Sequence, residues 1–194
     1  MISSHGQNTP QIKRFVVGPL ATNCYLVFDP GSSKGVLIDP GMFDEEIAGY
    51  IEKEKIEVLW TVNTHGHADH TSGNDHFGFP VLMHKNSMAR GHLQAERFLS
   101  DGDTIEFGDF KLKTIYTPGH TPGGISLRCG NILFSGDTLF YEGVGRTDRP
   151  EGDTGALLRS IKEKLMTLPD EVRVFPGHGP ETTIGHERQF NPFI

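Results

Sequence analysis

Thr64-His65-Gly66-His67-Ala68-Asp69-His70 places three imidazoles and a carboxylate within six residues. The run directly before it, Val58-Leu59-Trp60-Thr61-Val62, is apolar and rich in β-branched residues, and reads as a buried strand. Imidazole and carboxylate are the ligands that suit zinc, iron and manganese. A strand end holds such groups rigidly, and the loop after it can turn several of them toward one point. Four donors are too many for one catalytic ion that keeps an open position. The spacing therefore predicts two adjacent ions. The alternative, a solvated His-rich loop, does not account for four donors directly after a strand.

The rest of the composition narrows the class. A chain of 194 residues, 36% of them hydrophobic, can bury a core as a single domain over 1–194, with Met1 to Gln11 as a polar, flexible tail. A formal charge of −7 and the lack of a long basic tract argue against a nucleic-acid partner. No run approaches the roughly 18 apolar residues of a membrane span, and the N-terminus lacks the apolar core of a secretion signal. The expected location is cytoplasmic. Cys24 and Cys129 sit in separate apolar segments without basic neighbours, so two reduced, buried thiols are expected rather than a disulfide or a nucleophile.

Working outward, Ile12 to Val17, Tyr25 to Phe28 and Val36 to Asp39 read as strands separated by Gly/Pro turns, an antiparallel opening. Phe43 to Lys55 has a helical apolar face (Phe43, Ile47, Tyr50, Ile51), and strand 58–63 follows as a parallel crossover. After His70, Thr71 and Ser72 are expected N-caps of a short helix ending near Phe77-Gly78. Pro80 to His84 is a short strand, and Lys85 to Phe98 a weakly helical connection. His76, His84 and His92 occur singly and read as surface or capping residues. Strands 104–107 and 110–116 flank the hairpin signal Gly108-Asp109.

Three more strand ends carry donors. Thr117-Pro118-Gly119-His120 follows strand 110–116, Ser135-Gly136-Asp137-Thr138 follows the hairpin of Ile125 to Phe134, and Pro176-Gly177-His178-Gly179 follows Val172 to Phe175. Between them lie a Gly-rich rim, Tyr141 to Asp153, and an amphipathic helix, Thr154 to Met166. Arg146 is expected to hold the rim by an ion pair or backbone hydrogen bonds. Thr182 to Ile194 begins with helical potential. Ligands bind outside strand ends in α/β folds, so His65, His67, Asp69, His70, His120, Asp137 and His178 are assigned to one pocket. Five imidazoles and two carboxylates suffice for two ions if one carboxylate and one water bridge them.

On these motifs the chain resembles the metallo-β-lactamase-fold hydrolases, in the short branch related to glyoxalase II (hydroxyacylglutathione hydrolase). The pattern H-x-H-x-D-H stands here as His65 to His70, with further stations at His120, Asp137 and His178 and at Gly145-Arg146-Thr147-Asp148. The resemblance implies an αββα four-layer sandwich of two mixed β-sheets with helices outside. It implies one metal on His65, His67 and His120, a second on Asp69, His70 and His178, and Asp137 bridging both. The two divalent ions would be zinc, with iron or manganese as alternatives, and a metal-bridging hydroxide the nucleophile. Asp69 would orient that hydroxide and take its proton. Full-length glyoxalase II resembles a longer chain with a C-terminal helical domain that helps to grip glutathione, and a chain without that domain is expected here.

A thiolate, with a pKa of about 8.5, leaves without a general acid, whereas an amide nitrogen needs one. The expected substrate is therefore a small-molecule thioester like S-lactoylglutathione, or a related ester, with the chain as monomer or dimer. The rival is a mononuclear iron persulfide dioxygenase, similar in His-Ala-Asp-His and Gly-Arg-Thr-Asp, whose triad would be His65, His120 and Asp137. A non-catalytic metal module would need a closed ligand shell. A true β-lactamase or nuclease lacks support in the absence of a secretion signal or basic groove.

Overall fold

Period-2 burial in the central strands sets the layering. A computed structural model of the chain describes residues 9–90 and 94–194, with the backbone alone at 88–90. In β2 (Thr22–Phe28), Cys24, Leu26 and Phe28 face one way and Tyr25 and Val27 the other, so both faces of the strand are covered. The first set packs with Leu37, Ile47 and Ile56 beneath α1 (Glu45–Glu54). The second joins Val36, Ile38, Ile105, Leu127, Phe134 and Phe175 in the core between the two sheets.

One sheet runs β1 (Gln11–Val17), β2, β3 (Lys34–Ile38), β4 (Glu57–Val62), β5 (Val81–His84), β6 (Arg97–Leu99). Its first two pairings are antiparallel and the other three parallel, with the expected crossover through α1. The second sheet contains β7 (Thr104–Phe107), β8 (Phe110–Tyr116), β9 (Ile125–Cys129), β10 (Ile132–Gly136), β13 (Arg173–Pro176) and β14 (Thr182–Thr183). Its order is β14-β13-β10-β9-β8-β7, parallel only between β10 and β13. A two-strand ribbon, β11 (Leu139–Phe140) with β12 (Gly143–Val144), lies beside it. Leu157, Ile161 and Leu165, spaced by four, cover its outer face together with Leu133, Val172, Val174 and Ile184. The result is the αββα sandwich with two mixed sheets.

Several local expectations change. The helix after β4 does not start at Thr71 or Ser72. It starts inside the motif, as α2 (Ala68–Thr71), with α3 (Asn74–Phe77) after it. Thr71 and Ser72 donate their hydroxyls back to the His67 and Ala68 carbonyls, which is how hydroxyls behave within or just after a helical turn rather than at its start. The connection from Lys85 includes a 3₁₀ turn over 85–90 and an unexpected strand, β6, which has little periodicity in three residues. Helix 154–166 is α4 (Thr154–Ser160) followed by a π-turn over 161–165, in which the Met166 N–H reaches the Ile161 carbonyl. The proposed tail is shorter than expected at its described end, because Gln11 is already in β1 and Pro10 is buried. His92 lies outside the described residues. Among them, no helix is long and apolar enough to cross a membrane.

Phe134 is 1% exposed and packs between Tyr25 and Phe175 at ring centroids of 5.2 and 5.4 Å. Phe134→Ala is expected to lower unfolding free energy by about 3–5 kcal/mol in urea denaturation, without changing which residues form the site.

Candidate metal centre

Every candidate donor lies in the segment that follows a strand, Asp69 and His70 within α2. β4 ends at Val62, and Asn63 and Thr64 carry the chain into the motif, while β8, β10 and β13 end just before His120, Asp137 and His178. The structure brings all seven sequence-assigned residues into one cluster at this end of the sandwich. Two groups of the sequence-assigned donors have converging ligand atoms: His65, His67 and His120, all buried, and Asp69, His70 and His178, of which His70 is fully buried. Each group draws residues from both sheets.

In the first group the His67 Nδ1 lies 3.0 Å from His65 Nε2 and 2.9 Å from His120 Nε2. Nitrogens around a tetrahedral ion with bonds of about 2.0–2.1 Å lie about 3.3–3.4 Å apart, so the rings need to part by only a few tenths of an ångström to hold one ion. Asp137 stands between the groups. Its Oδ2 is 3.5 Å from both His120 Nε2 and His178 Nε2, and its Oδ1 is 3.4 Å from His70 Nε2. That Oδ1 is buried with no hydrogen-bond partner, as expected of an atom whose partner is a cation. Gly177 floors the cluster: a Cβ there would come within 2.2 Å of Asp137 Oδ1 and 2.8 Å of His70 Cε1. The donor set fits a pair of metal ions.

The ring nitrogens turned away from the cluster are also held. His70 Nδ1 meets Asp39 Oδ2 at 2.9 Å, His120 Nδ1 donates to the Arg146 carbonyl at 2.8 Å, and His178 Nδ1 donates to the Leu20 carbonyl at 3.1 Å. His65 Nδ1 pairs with Thr64 Oγ1 at 3.1 Å. Asp39 is the residue that sequence reading left as the end of a strand. It is 2% exposed and takes the Thr64 N–H at 2.7 Å and the Thr64 hydroxyl at 2.6 Å. It also has ligand-type distances to His65 and His70, but its oxygens are already engaged by these donors, so its place is behind the histidines. The signal available was a carboxylate at a strand end before Pro40-Gly41, the same signal that marked Asp137.

Burial and the neighbouring His70, His120, His67 and His178 hold His65 well below the usual histidine range. His70 goes the other way. Burial opposes its charge, but Asp137 and Asp39 outweigh burial and push it up to about 9. Burial alone would raise Asp69, yet the hydrogen bond with His178 and the charge on His70 keep its carboxyl well below the usual range. The other single histidines behave as expected of capping and surface groups. His84 Nδ1 accepts the Asn86 N–H and its ring stacks on Tyr116, though it is buried, and His76 is exposed against Phe43. Arg146 forms a two-pronged ion pair with Asp148, 2.7 Å on each prong. Cys24 and Cys129 are free and buried, and burial pushes both thiols up.

Two outcomes follow from this geometry. In metal-free protein the raised His70 stabilises the fold fully below pH 6.5, and that contribution is lost as pH rises through about 9. His178 is raised by its hydrogen bond with Asp69 and adds in the same direction, while the lowered His65 acts on the acid side. Thermal unfolding of chelator-treated protein is thus expected to show falling stability from pH 6.5 to 9; a flat profile contradicts it. Gly177→Ala is expected to leave a folded protein by circular dichroism that binds less than half the metal of the parent by elemental analysis.

Residues 17–178 match the Metallo-beta-lactamase superfamily. A probable metallo-hydrolase, YqgX of Bacillus subtilis, is 34% identical, covering 94% of this chain and 96% of that one. The hydroxyacylglutathione hydrolase GloC of Haemophilus influenzae is 33% identical (89% and 92%), and the mitochondrial persulfide dioxygenase ETHE1 of Bos taurus is 35% identical (98% and 79%). Among solved structures, the B3 metallo-beta-lactamase BLEG-1 superposes with a TM-score of 0.84 at 33% identity over 94% of this chain and 99% of its own. TTHA1623, solved in a di-iron-bound form, gives 0.82 at 35% over 94% and 100%. With the fold, the clustered His and Asp donors and these similarities in agreement, the chain belongs to the metallo-beta-lactamase superfamily and is a metal-binding enzyme of that fold.

Proposed function

We propose that the chain is a dinuclear hydrolase of thioesters like S-lactoylglutathione, or of related esters, acting on small molecules in the cytoplasm. One ion is assigned to His65, His67 and His120, the other to Asp69, His70 and His178, with Asp137 shared. The observation that carries this reading is the pair of converging triads with the orphaned carboxylate oxygen of Asp137 between them. Likeness to GloC and to the di-iron form of TTHA1623 supports it.

When bound, such ions supply a water that is acidic near pH of about 7 and a Lewis acid for the carbonyl oxygen. The chain's own residues do the rest. Asp69, held ionised, presents Oδ2 to the Thr22 hydroxyl at 3.3 Å and to His178 Nε2 at 3.3 Å. That carboxylate orients the attacking water and accepts its proton. Thr22 and the anchored His178 fix the carboxylate's own position. The leaving thiolate needs no proton, which favours thioesters over amides.

A second reading, a mononuclear iron persulfide dioxygenase on His65, His120 and Asp137, is favoured by the 35% identity to ETHE1. Elemental analysis separates the two. Close to two ions per chain, with turnover of a thioester panel, is the expected result. A single iron, with oxygen uptake on glutathione persulfide, overturns the hydrolase. His120→Ala is expected to abolish activity and lower metal content, while Cys24→Ala changes neither.

A further inference from the structure

We infer that Glu151, on the rim loop, is a positioning residue for the first ion, acting through His67. This rests on the metal assignment above and adds a residue to it. His67 differs from the other four imidazoles: it turns Nδ1, not Nε2, toward its neighbours in the cluster. Its Nε2 therefore points away, and 3.1 Å from it stands Glu151 Oε1. The outward nitrogens of His65, His120 and His178 are held by a hydroxyl or a backbone carbonyl, and that of His70 by Asp39. Among the described residues, Glu151 thus stands behind His67 as Asp39 stands behind His70.

The placement is built rather than incidental. Glu151 is followed by Gly152, whose N–H donates to the Arg149 carbonyl at 2.8 Å, and by Asp153, whose N–H donates to the Gly119 carbonyl at 2.8 Å. A Cβ at Gly152 would come within 2.4 Å of the Thr147 carbonyl, so the turn admits only glycine there. Asp153 then caps α4 through the Ala156 N–H. The Glu151 backbone is tied on its C-terminal side to the residue before His120, a ligand of the same triad. Its side chain is 24% exposed, while that of His67 is 6% exposed.

A carboxylate accepting the Nε2–H fixes the tautomer that leaves the Nδ1 lone pair toward the ion and raises the basicity of that nitrogen. Losing such a partner typically weakens metal affinity about 10–100-fold. The test is zinc titration of the full-length, chelator-stripped chain against a competing chelator, for parent, Glu151→Ala and Glu151→Gln. The expected result is two zinc sites in the parent. Glu151→Ala should weaken one of them about 10–100-fold and leave the other unchanged. Glu151→Gln, whose amide oxygen still accepts the bond, should fall between. Glu151→Ala should lower the thermal stability of the stripped protein less than that of the zinc-loaded protein.

Equal affinities in parent and Glu151→Ala overturn the inference. So does a loss of stability in stripped Glu151→Ala as large as in its zinc-loaded form, since that marks a purely structural role. A parent that binds no zinc overturns the metal assignment itself, and is read before any variant is compared.

Discussion

A buried carboxylate, Asp39, is the constraint on which the centre depends. Its backbone sits in the left-handed region at φ 51°, a conformation that Asp tolerates better than most residues but that still costs energy. Three hydrogen bonds, from the Thr64 amide, the Thr64 hydroxyl and His70, offset that cost. They fasten the end of β3 to the end of β4 at the point where the chain must turn from strand to ligand loop. A second fastening, Asn63 Nδ2 to the His70 carbonyl at 3.0 Å, closes the loop on itself. Gly41 permits both, because a Cβ there would overlap the Asp69 carbonyl.

The charges around this carboxylate divide the centre into unequal halves. The His65 side is imidazole among imidazoles, where protonation is penalised by burial and by neighbours of the same sign. The His70 side has three carboxylates around one ring and keeps its proton to about pH 9. An ion in the first half would have no proton to displace from His65. An ion in the second half would have to displace the His70 proton, so metal uptake there would release acid and strengthen with pH.

Much of this was legible in the sequence because strand ends, turn residues and donors coincide. The H-x-H-x-D-H run, the Thr-Pro-Gly-His and Pro-Gly-His-Gly turns and the alternation in Thr22–Phe28 each carry local information that survives folding. Asp39 and Glu151 were not legible for opposite reasons. Asp39 carried the same signal as Asp137, a carboxylate at a strand end beside a turn, but stood about 25 residues from any histidine, and only the parallel β3–β4 pairing brings it to His70. Glu151 lies in an aperiodic loop, where sequence says nothing about which charged side chain points inward. The early start of α2 escaped notice because the motif's own Ala68 opens the helix, and Thr71 and Ser72 mimic caps while serving as back-bonders.

Each triad takes ligands from the two sheets: His65 and His67 with His120, and Asp69 and His70 with His178. Apolar contacts hold the middle of the sandwich, but at this rim the two layers meet through polar donors. Bound ions would act there as cross-links between the layers, closing loops of more than 50 and more than 100 residues, such as His67 to His120 and His70 to His178. Because a metal favours the closed arrangement by mass action, its concentration would set how cooperatively the two halves come apart. In such a protein, unfolding and demetallation become one event, with metal supply as a control on lifetime as well as on rate.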